Sequence, residues 1–373
     1  MQSSRIRAID AGRGVAMIFV FLAHFVEYYL NRYGKISQLQ NVFTITHLAS
    51  PTFMLISGTM LGYLFYTKKE NFGPTRRKYI DRGLFLLTIA HVLIRISWIP
   101  MIQFAHGSHR TTFITDTIGL CLIIGAIGIS RISMRNRIIL ALVLYCISWF
   151  VVSFHNPKNS FLEILAELFC GELHNTYFFD NFPFLPWLSL YLIGTTIGEK
   201  IGYYQKNGSK KRINQILWKS GAFSLLAGEV LLKIVYHTNI RAYLHFDMTF
   251  FSSLQKDPPG IIYFLFYGGY GLLLLWVLNK LVEKKLLTGA IYILEIIGKN
   301  SLFAFIIQYY IYFSILIWID PPYSSFWPIF FLATLIIQII VIKLWDVKGF
   351  NRYLTVLDIP YKKIFILRKK KLL

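Results

Sequence analysis

Ten apolar runs recur along this chain, each about 17–22 residues long and therefore able to cross a bilayer core of about 30 Å. The runs lie near residues 11–30, 45–66, 83–102, 113–130, 138–154, 183–200, 216–235, 259–279, 300–319 and 325–345. Hydrophobic residues make up 55% of the 373 positions and charged residues only 15%. A soluble protein could not bury that much apolar surface, whereas lipid can cover it. The sequence therefore predicts an all-α polytopic transmembrane bundle of about ten spanning helices.

Lysine and arginine are distributed unevenly over the loops of this predicted bundle. If the N-terminus is cytoplasmic, 29 of the 39 basic residues fall in inner segments and only 6 in outer loops. Because cytoplasmic loops carry an excess of basic residues, this ratio predicts that both termini are cytoplasmic. The net charge of +21 is then a consequence of topology and does not indicate nucleic-acid binding.

We predict a single membrane-embedded domain over residues 1–373, because no soluble domain is visible in the sequence. Its basic tail, 348–373, is interpreted as a contact with anionic lipid. The apolar segment 286–298 is too short to span and is predicted to be an amphipathic or re-entrant piece on the cytoplasmic side.

The nine histidines avoid the predicted cytoplasmic segments. His24 lies in the outer half of the first spanning helix, and His47 opens the second. Histidine is the usual acid or base near neutral pH. The loop histidines are more simply explained by the exclusion of lysine and arginine from outer loops. For His24 and His47 the simpler alternative is a hydrogen bond between helices.

Several charged residues are predicted to lie at membrane depth. Such groups cost about 2.5–3.5 kcal/mol at a helix centre and usually face a cavity or a partner. Asp10 and Arg13 are near the cytoplasmic end of the first helix, where an arginine can extend to the surface. Arg95 is deeper in the third, and Asp116, at the outer start of the fourth, is its candidate ion partner.

Short motifs in the chain resemble those of transmembrane acyltransferases. Residues 5–14, RIRAIDAGRG, resemble their R-x-x-x-(I/L)-D-x-x-R-G opening, and ten residues separate Arg13 from His24 as in the R-x10-H motif of the acyltransferase-3 family. Residues 46–58, THLASPTFMLISG, are similar to the second helix of bacterial relatives of the heparan-α-glucosaminide N-acetyltransferase catalytic domain. Further matches follow in order: FPFLPW at 182–187, KDPP at 256–259, and GKNSL at 298–302 with Gln308. Together they cover most of the chain and indicate the superfamily without fixing the substrate.

The resemblance implies an enzyme that takes an acyl group from a cytoplasmic donor, commonly acetyl-CoA, and passes it to an outer acceptor, often a sugar. A membrane histidine would carry the acyl group or act as general base, and no metal is expected. The predicted catalytic residues are His24, His47 and Asp116; the predicted donor-binding residues are Arg13, Arg76, Arg77, Arg82 and Arg95; the predicted substrate-binding residues are Asp10, Lys256 and Gln308. His24 is preferred because it completes R-x10-H. The eukaryotic enzyme differs, since its implicated histidine lies in a loop that corresponds to 31–44, where this chain has none.

Two alternative functions compete with the acyltransferase. A transporter or flippase without chemistry would also use charged groups inside the membrane. A purely structural membrane protein fits these charges less well. For the acyltransferase we expect a bacterial cytoplasmic membrane location, with acyl-CoA, an extracytoplasmic glycan or glycolipid and membrane lipids as partners. Nucleic acid is not expected, and a second copy of the chain is a further candidate partner.

Overall fold

The structure, a computed structural model, describes residues 6–30, 40–105, 112–154, 159–171, 182–237, 251, 256, 258–319 and 325–357. Five of the nine histidines and residues 358–373 of the predicted basic tail lie outside the described residues.

The chain folds into helices, which we number in chain order. The first are α1 Arg7–Phe25, α2 Gln40–Thr46, α3 Ala49–Thr67, α4 Gly73–Phe85, α5 His91–Ala105, α6 Ile114–Gly128, α7 Met134–Phe154 and α8 Ser160–Phe169. They are followed by α9 Phe184–Lys206, α10 Lys210–His237, α11 Ile261–Glu283, α12 Thr288–Lys299, α13 Ser301–Tyr310, α14 Leu316–Ile319 and α15 Trp327–Val347. Within the described residues, π-helical turns at Val26–Leu30, Leu86–Ala90 and Ile311–Ile315 extend α1, join α4 to α5 and join α13 to α14.

Each of the ten apolar runs coincides with one of these helices or with a joined pair. Among the described residues, seven stretches are long and apolar enough to cross a membrane. The all-α polytopic membrane bundle is therefore confirmed. Of the other predicted spans, α6 is apolar but has only 15 residues, and α9 and α10 contain more polar side chains. The count of ten and the cytoplasmic termini stay predictions.

Glycine brings α3 and α9 into backbone contact. A methyl group at Gly58 or Gly62 of α3 would overlap carbonyl oxygens of α9, and one at Gly194 or Gly198 of α9 would overlap carbonyl oxygens of α3. Small residues at such a crossing let two membrane helices approach closely. These four glycines therefore allow α3 and α9 to pack closely, and α3 in turn contacts α1.

The predicted non-spanning segment at 286–298 is the helix α12, whose 12 residues extend only about 18 Å at 1.5 Å per residue. It packs along the first half of α1, and a methyl group at Gly298 would overlap the carbonyl oxygen of Asp10. Arg7 Nε donates to Glu295 Oε1 across the same contact. α1 is thus held on one side by α12 and on others by α3 and α11.

Candidate active site

Arg13 and His24 lie on nearly the same side of α1, because eleven positions make about three turns at 3.6 residues per turn. They are about 16 Å apart along the axis at 1.5 Å per residue. The neighbouring helix α13 supplies a partner for each. Arg13 Nη2 donates to Ser301 Oγ, and His24 Nδ1 lies 2.9 Å from Gln308 Oε1. One pair of helices therefore carries a cationic group at one level and a histidine at another.

His24 is held in a defined orientation. Its ring centroid lies 5.0 Å from that of Tyr309 and 5.4 Å from that of Phe313. Gln308 is fully buried, so its hydrogen bond to the ring is shielded from water. The Gln308 amide oxygen accepts in this contact, which requires a proton on His24 Nδ1, and in the neutral ring Nε2 then keeps its lone pair. This tautomer has the free basic nitrogen that a general base requires.

His24 lines a cavity of about 100 Å³. We call it the outer cavity, because the predicted topology places it towards the extracytoplasmic side. Its polar lining includes Glu27, Thr46, His47, Ser50 and Lys256, and its aromatic lining includes Phe182, Tyr263, Phe305 and Tyr309. Both predicted catalytic histidines and the predicted substrate-binding Lys256 therefore meet at one cavity. Gln308 does not line it and contacts His24 instead.

His47 reaches this cavity from the turn that precedes α3. Its ring stacks near Tyr267, with centroids 6.0 Å apart. The Tyr263 hydroxyl donates to the backbone carbonyl of His47 over 3.2 Å. Both tyrosines belong to α11, so α11 sets the position of the second histidine.

Lys256 is placed by the proline turn that precedes α11. The Pro259 carbonyl accepts hydrogen bonds from the Tyr145 hydroxyl, at 2.9 Å, and from Trp149 Nε1, at 3.3 Å. Lys256 Nζ lies 4.4 Å from the centroid of the Phe182 ring, a cation–π distance. Two of the sequence motifs, FPFLPW and KDPP, thus contact each other at the mouth of the outer cavity.

Glu27 is a site residue that sequence reasoning missed. It lies on the π-helical turn that extends α1, three positions after His24, and its side chain lines the outer cavity. Residues three apart on a helix are neighbours. The sequence signal that could have identified Glu27 is an acidic residue three positions after a histidine in a spanning helix. The outer cavity therefore contains a carboxylate as well as two imidazoles and an ammonium group.

An inner cavity of about 70 Å³ lies at the level of Arg13. Arg82 from α4 and Tyr79 also line it, together with Ser57, Thr115 and several apolar side chains. The Thr115 hydroxyl is buried and has no hydrogen-bond partner within the described residues. A buried hydroxyl without a partner costs free energy unless a ligand or water satisfies it. Arg13 and Arg82 were predicted from sequence to bind the donor. The structure brings them together beside the Thr115 hydroxyl, which has no hydrogen-bond partner within the described residues.

The two cavities meet at one aromatic side chain. Phe305 of α13 lines both of them, and the adjacent residues Ile114 and Thr115 of α6 line the outer and the inner cavity respectively. The cavities thus follow one another along α1 and α13, with Phe305 between them.

Asp116 and Arg95 form a separate cluster around His91. The carboxylate of Asp116 lies 2.9 Å from His91 Nδ1 through each of its oxygens. Arg95 Nε lies 3.3 Å from His91 Nε2. His91 therefore stands between the two residues that were expected to pair directly. Asp116 also accepts from the backbone N–H of Phe113 and so caps the start of α6.

The remaining predicted site residues lie outside both cavities. Arg95 stands at the level of Phe113, at the outer start of α6, and not beside Arg13. Arg76 and Arg77 are exposed on the first turns of α4. Asp10 is buried in α1 where α12 crosses it. The structure thus brings Arg13 and Arg82 together and leaves the other predicted donor-binding arginines apart from them.

Comparison with known proteins decides the family. A family model described as heparan-alpha-glucosaminide N-acetyltransferase, catalytic, matches residues 5–239. The chain belongs to this family. It is accordingly a membrane enzyme of the acetyltransferase type. The match extends from α1 through α10 and includes His24, His47, Arg13 and Arg82, whereas Gln308 lies beyond it. No curated protein matches the chain.

Proposed function

We propose that the protein transfers an acetyl or other short acyl group from acyl-CoA on the cytoplasmic side to an extracytoplasmic acceptor, with His24 as the reacting histidine. The favoured acceptor is a sugar or glycolipid, and the favoured location is a bacterial cytoplasmic membrane. One observation carries the proposal. Two cavities in series along α1 and α13 separate a pair of arginines from a pair of histidines.

The inner cavity suits the thioester end of the donor. Its volume of about 70 Å³ admits the acyl group and part of the pantetheine arm but not the nucleotide. Thr115 offers a hydrogen bond to an amide of that arm. The phosphates would remain at the surface, beside the exposed Arg76 and Arg77 and within reach of Arg82, because guanidinium groups bind phosphate in a bidentate manner.

The outer cavity suits the acceptor. An acceptor hydroxyl or amine would lose its proton to His24 Nε2 while its oxygen or nitrogen attacks the thioester carbonyl carbon. The carbon–sulfur bond then breaks, and CoA leaves as the thiol once it is protonated. A positioned general base contributes about 10²–10⁴-fold in rate. A two-step route through an acyl-histidine uses the same residues, with His47 or Glu27 taking the acceptor proton.

The test uses the purified full chain in proteoliposomes with acetyl-CoA labelled in its acetyl group. We expect CoA release that depends on an added amino sugar or sugar acceptor. His24→Ala should lower turnover by at least 100-fold and leave the dissociation constant of CoA unchanged within about threefold. Failure of the folded protein to bind any acyl-CoA would overturn the proposal. Movement of an acceptor across the bilayer without CoA release would favour the transporter.

A further inference from the structure

A wide groove lies between α10 and α11, apart from both cavities. Its volume is about 600 Å³, and it opens at the end of the bundle where α10 begins and α11 ends. The basic groove, as we name it, is lined by Lys210, Lys211, Lys219 and Lys280 with Trp218 and Trp276. No residue of the groove lines the inner or the outer cavity. The excess of basic residues predicts that this end is cytoplasmic.

The groove has an excess of positive charge that the described residues leave uncompensated. The one acidic residue among its described lining residues, Glu283, accepts from Asn214 Nδ2 at 3.0 Å through each oxygen and lies 3.8 Å from Lys280 Nζ. Within the described residues, no carboxylate pairs with Lys210, Lys211 or Lys219. Three ammonium groups therefore remain for an anion supplied from outside.

The side chains next to these lysines suit a lipid headgroup with its acyl chains better than a dissolved anion. Trp218 lies eight positions after Lys210, which places it about 12 Å deeper along α10. Phe223 and Leu226 follow Lys219 at four and seven positions, on the same face, and are 72% and 63% exposed. Tryptophan favours the headgroup level of a bilayer, and exposed apolar side chains favour its acyl chains. Lys210 and Lys211, then Trp218, then Phe223 and Leu226 thus follow one another along α10 in the order of headgroup, interface and acyl chain, with Lys219 at the level of Trp218.

We propose that the basic groove binds the phosphate headgroup of an anionic phospholipid of the inner leaflet, with its acyl chains along Phe223 and Leu226. The lysines supply charge-assisted hydrogen bonds to the phosphate oxygens, and Gln215, which also lines the groove, supplies an amide for the glycerol. Basic pockets between membrane helices are a recognised type of anionic headgroup site.

The test measures lipid binding to the purified full chain by native mass spectrometry in a neutral detergent. The probes are phosphatidylglycerol, phosphatidylcholine and inorganic pyrophosphate. A lysine near an anionic headgroup contributes about fivefold in affinity. We therefore expect the triple variant Lys210→Gln, Lys211→Gln, Lys219→Gln to lose at least tenfold in phosphatidylglycerol affinity, with no change for phosphatidylcholine.

The matched control removes three exposed lysines of the same end from outside the groove, by Lys206→Gln, Lys284→Gln and Lys285→Gln. It should change phosphatidylglycerol affinity by less than threefold. Equal losses in the two triple variants would overturn the proposal, because bulk charge would then explain binding. Pyrophosphate that displaces the lipid at equal concentration would also overturn it, in favour of a soluble anion. In wild type, a lipid brominated on its acyl chains should quench tryptophan fluorescence, and Trp218→Phe should reduce that quenching; an unchanged signal would place the lipid elsewhere.

Discussion

The hydrogen bond between His24 and Gln308 gives the sharpest test of the proposed chemistry. Replacement by leucine, Gln308→Leu, keeps the apolar volume of the side chain and removes the acceptor 2.9 Å from His24 Nδ1. The donor on the ring then has no partner at a buried position, which costs about 1–3 kcal/mol. If the reactive orientation of the ring becomes less stable by that amount, turnover falls by about 5- to 150-fold. Donor binding should not change, because Gln308 does not line the inner cavity.

A second buried glutamine provides the control. Gln338 of α15 is fully buried and donates from Nε2 to the Tyr312 hydroxyl over 2.7 Å. It lines neither of the two cavities. Gln338→Leu should therefore lower the thermal stability about as much as Gln308→Leu does, while it keeps turnover within about twofold of wild type.

The assay is acceptor-dependent CoA release with the labelled donor, alongside thermal unfolding of each variant in the same detergent. Turnover of Gln308→Leu within twofold of wild type would refute the positioning argument. An equal loss of turnover in Gln338→Leu would refute it as well, because the effect would then come from stability alone.

Other predictions concern the inner cavity, two glycines and the cysteine Cys170. Arg82→Ala should weaken acyl-CoA binding by about 10- to 100-fold in calorimetric titrations, the loss expected of a charged hydrogen bond, whereas Arg135→Ala, at an exposed arginine that does not line the inner cavity, should cost less than threefold. Gly62→Ala should lower the free energy of unfolding by about 1–3 kcal/mol because its methyl group overlaps the α9 backbone. Gly289→Ala, with no atom within 4 Å of the added methyl, should be neutral or stabilise by about 0.5–1 kcal/mol in the same unfolding experiment. Burial raises the pKa of the Cys170 thiol to about 11, so its alkylation, followed by peptide mass spectrometry, should quicken about tenfold per pH unit from 8 to 10; a plateau at pH 9 would contradict that pKa.

The helices could be predicted because each apolar run is a local property of the sequence. The run at 300–319 identified α13 and α14, and the length of 286–298 excluded a span at α12. α10 shows the limit of this approach, since its first turn carries Lys210 and Lys211, two of the lysines that line the basic groove. Apolar length alone therefore does not decide whether such a helix spans.

The site could be predicted only where it depends on one helix. The spacing of Arg13 and His24 places both on one face of α1, and this is visible in the sequence. The contact of His24 with Gln308 joins residues 284 positions apart, so periodicity cannot supply it. Glu27 was missed because a glutamate at the end of a spanning helix is usually a solvated residue.

The position of Arg95 depends on tertiary contacts in the same way. Charge alone grouped it with the donor-binding arginines. The hydrogen bonds of His91 in α5 with Asp116 in α6 and with Arg95 instead place Arg95 beside the first turn of α6. The charge of a side chain predicts which ligands it can bind. Its position along the helix bundle decides which of those ligands it can reach.

The position of Phe305 has a consequence for permeability. A transporter exposes its site to each side in turn by moving whole helices, which takes microseconds to milliseconds. Here one aromatic side chain, Phe305, lines both the inner and the outer cavity, and rotation of one side chain is a far smaller rearrangement. An acyl group of two carbons could pass such a ring while the bulky nucleotide stays behind. On the proposed mechanism, the bundle would deliver a chemical group across the bilayer without opening a continuous path for ions, and the membrane potential would be preserved during every turnover.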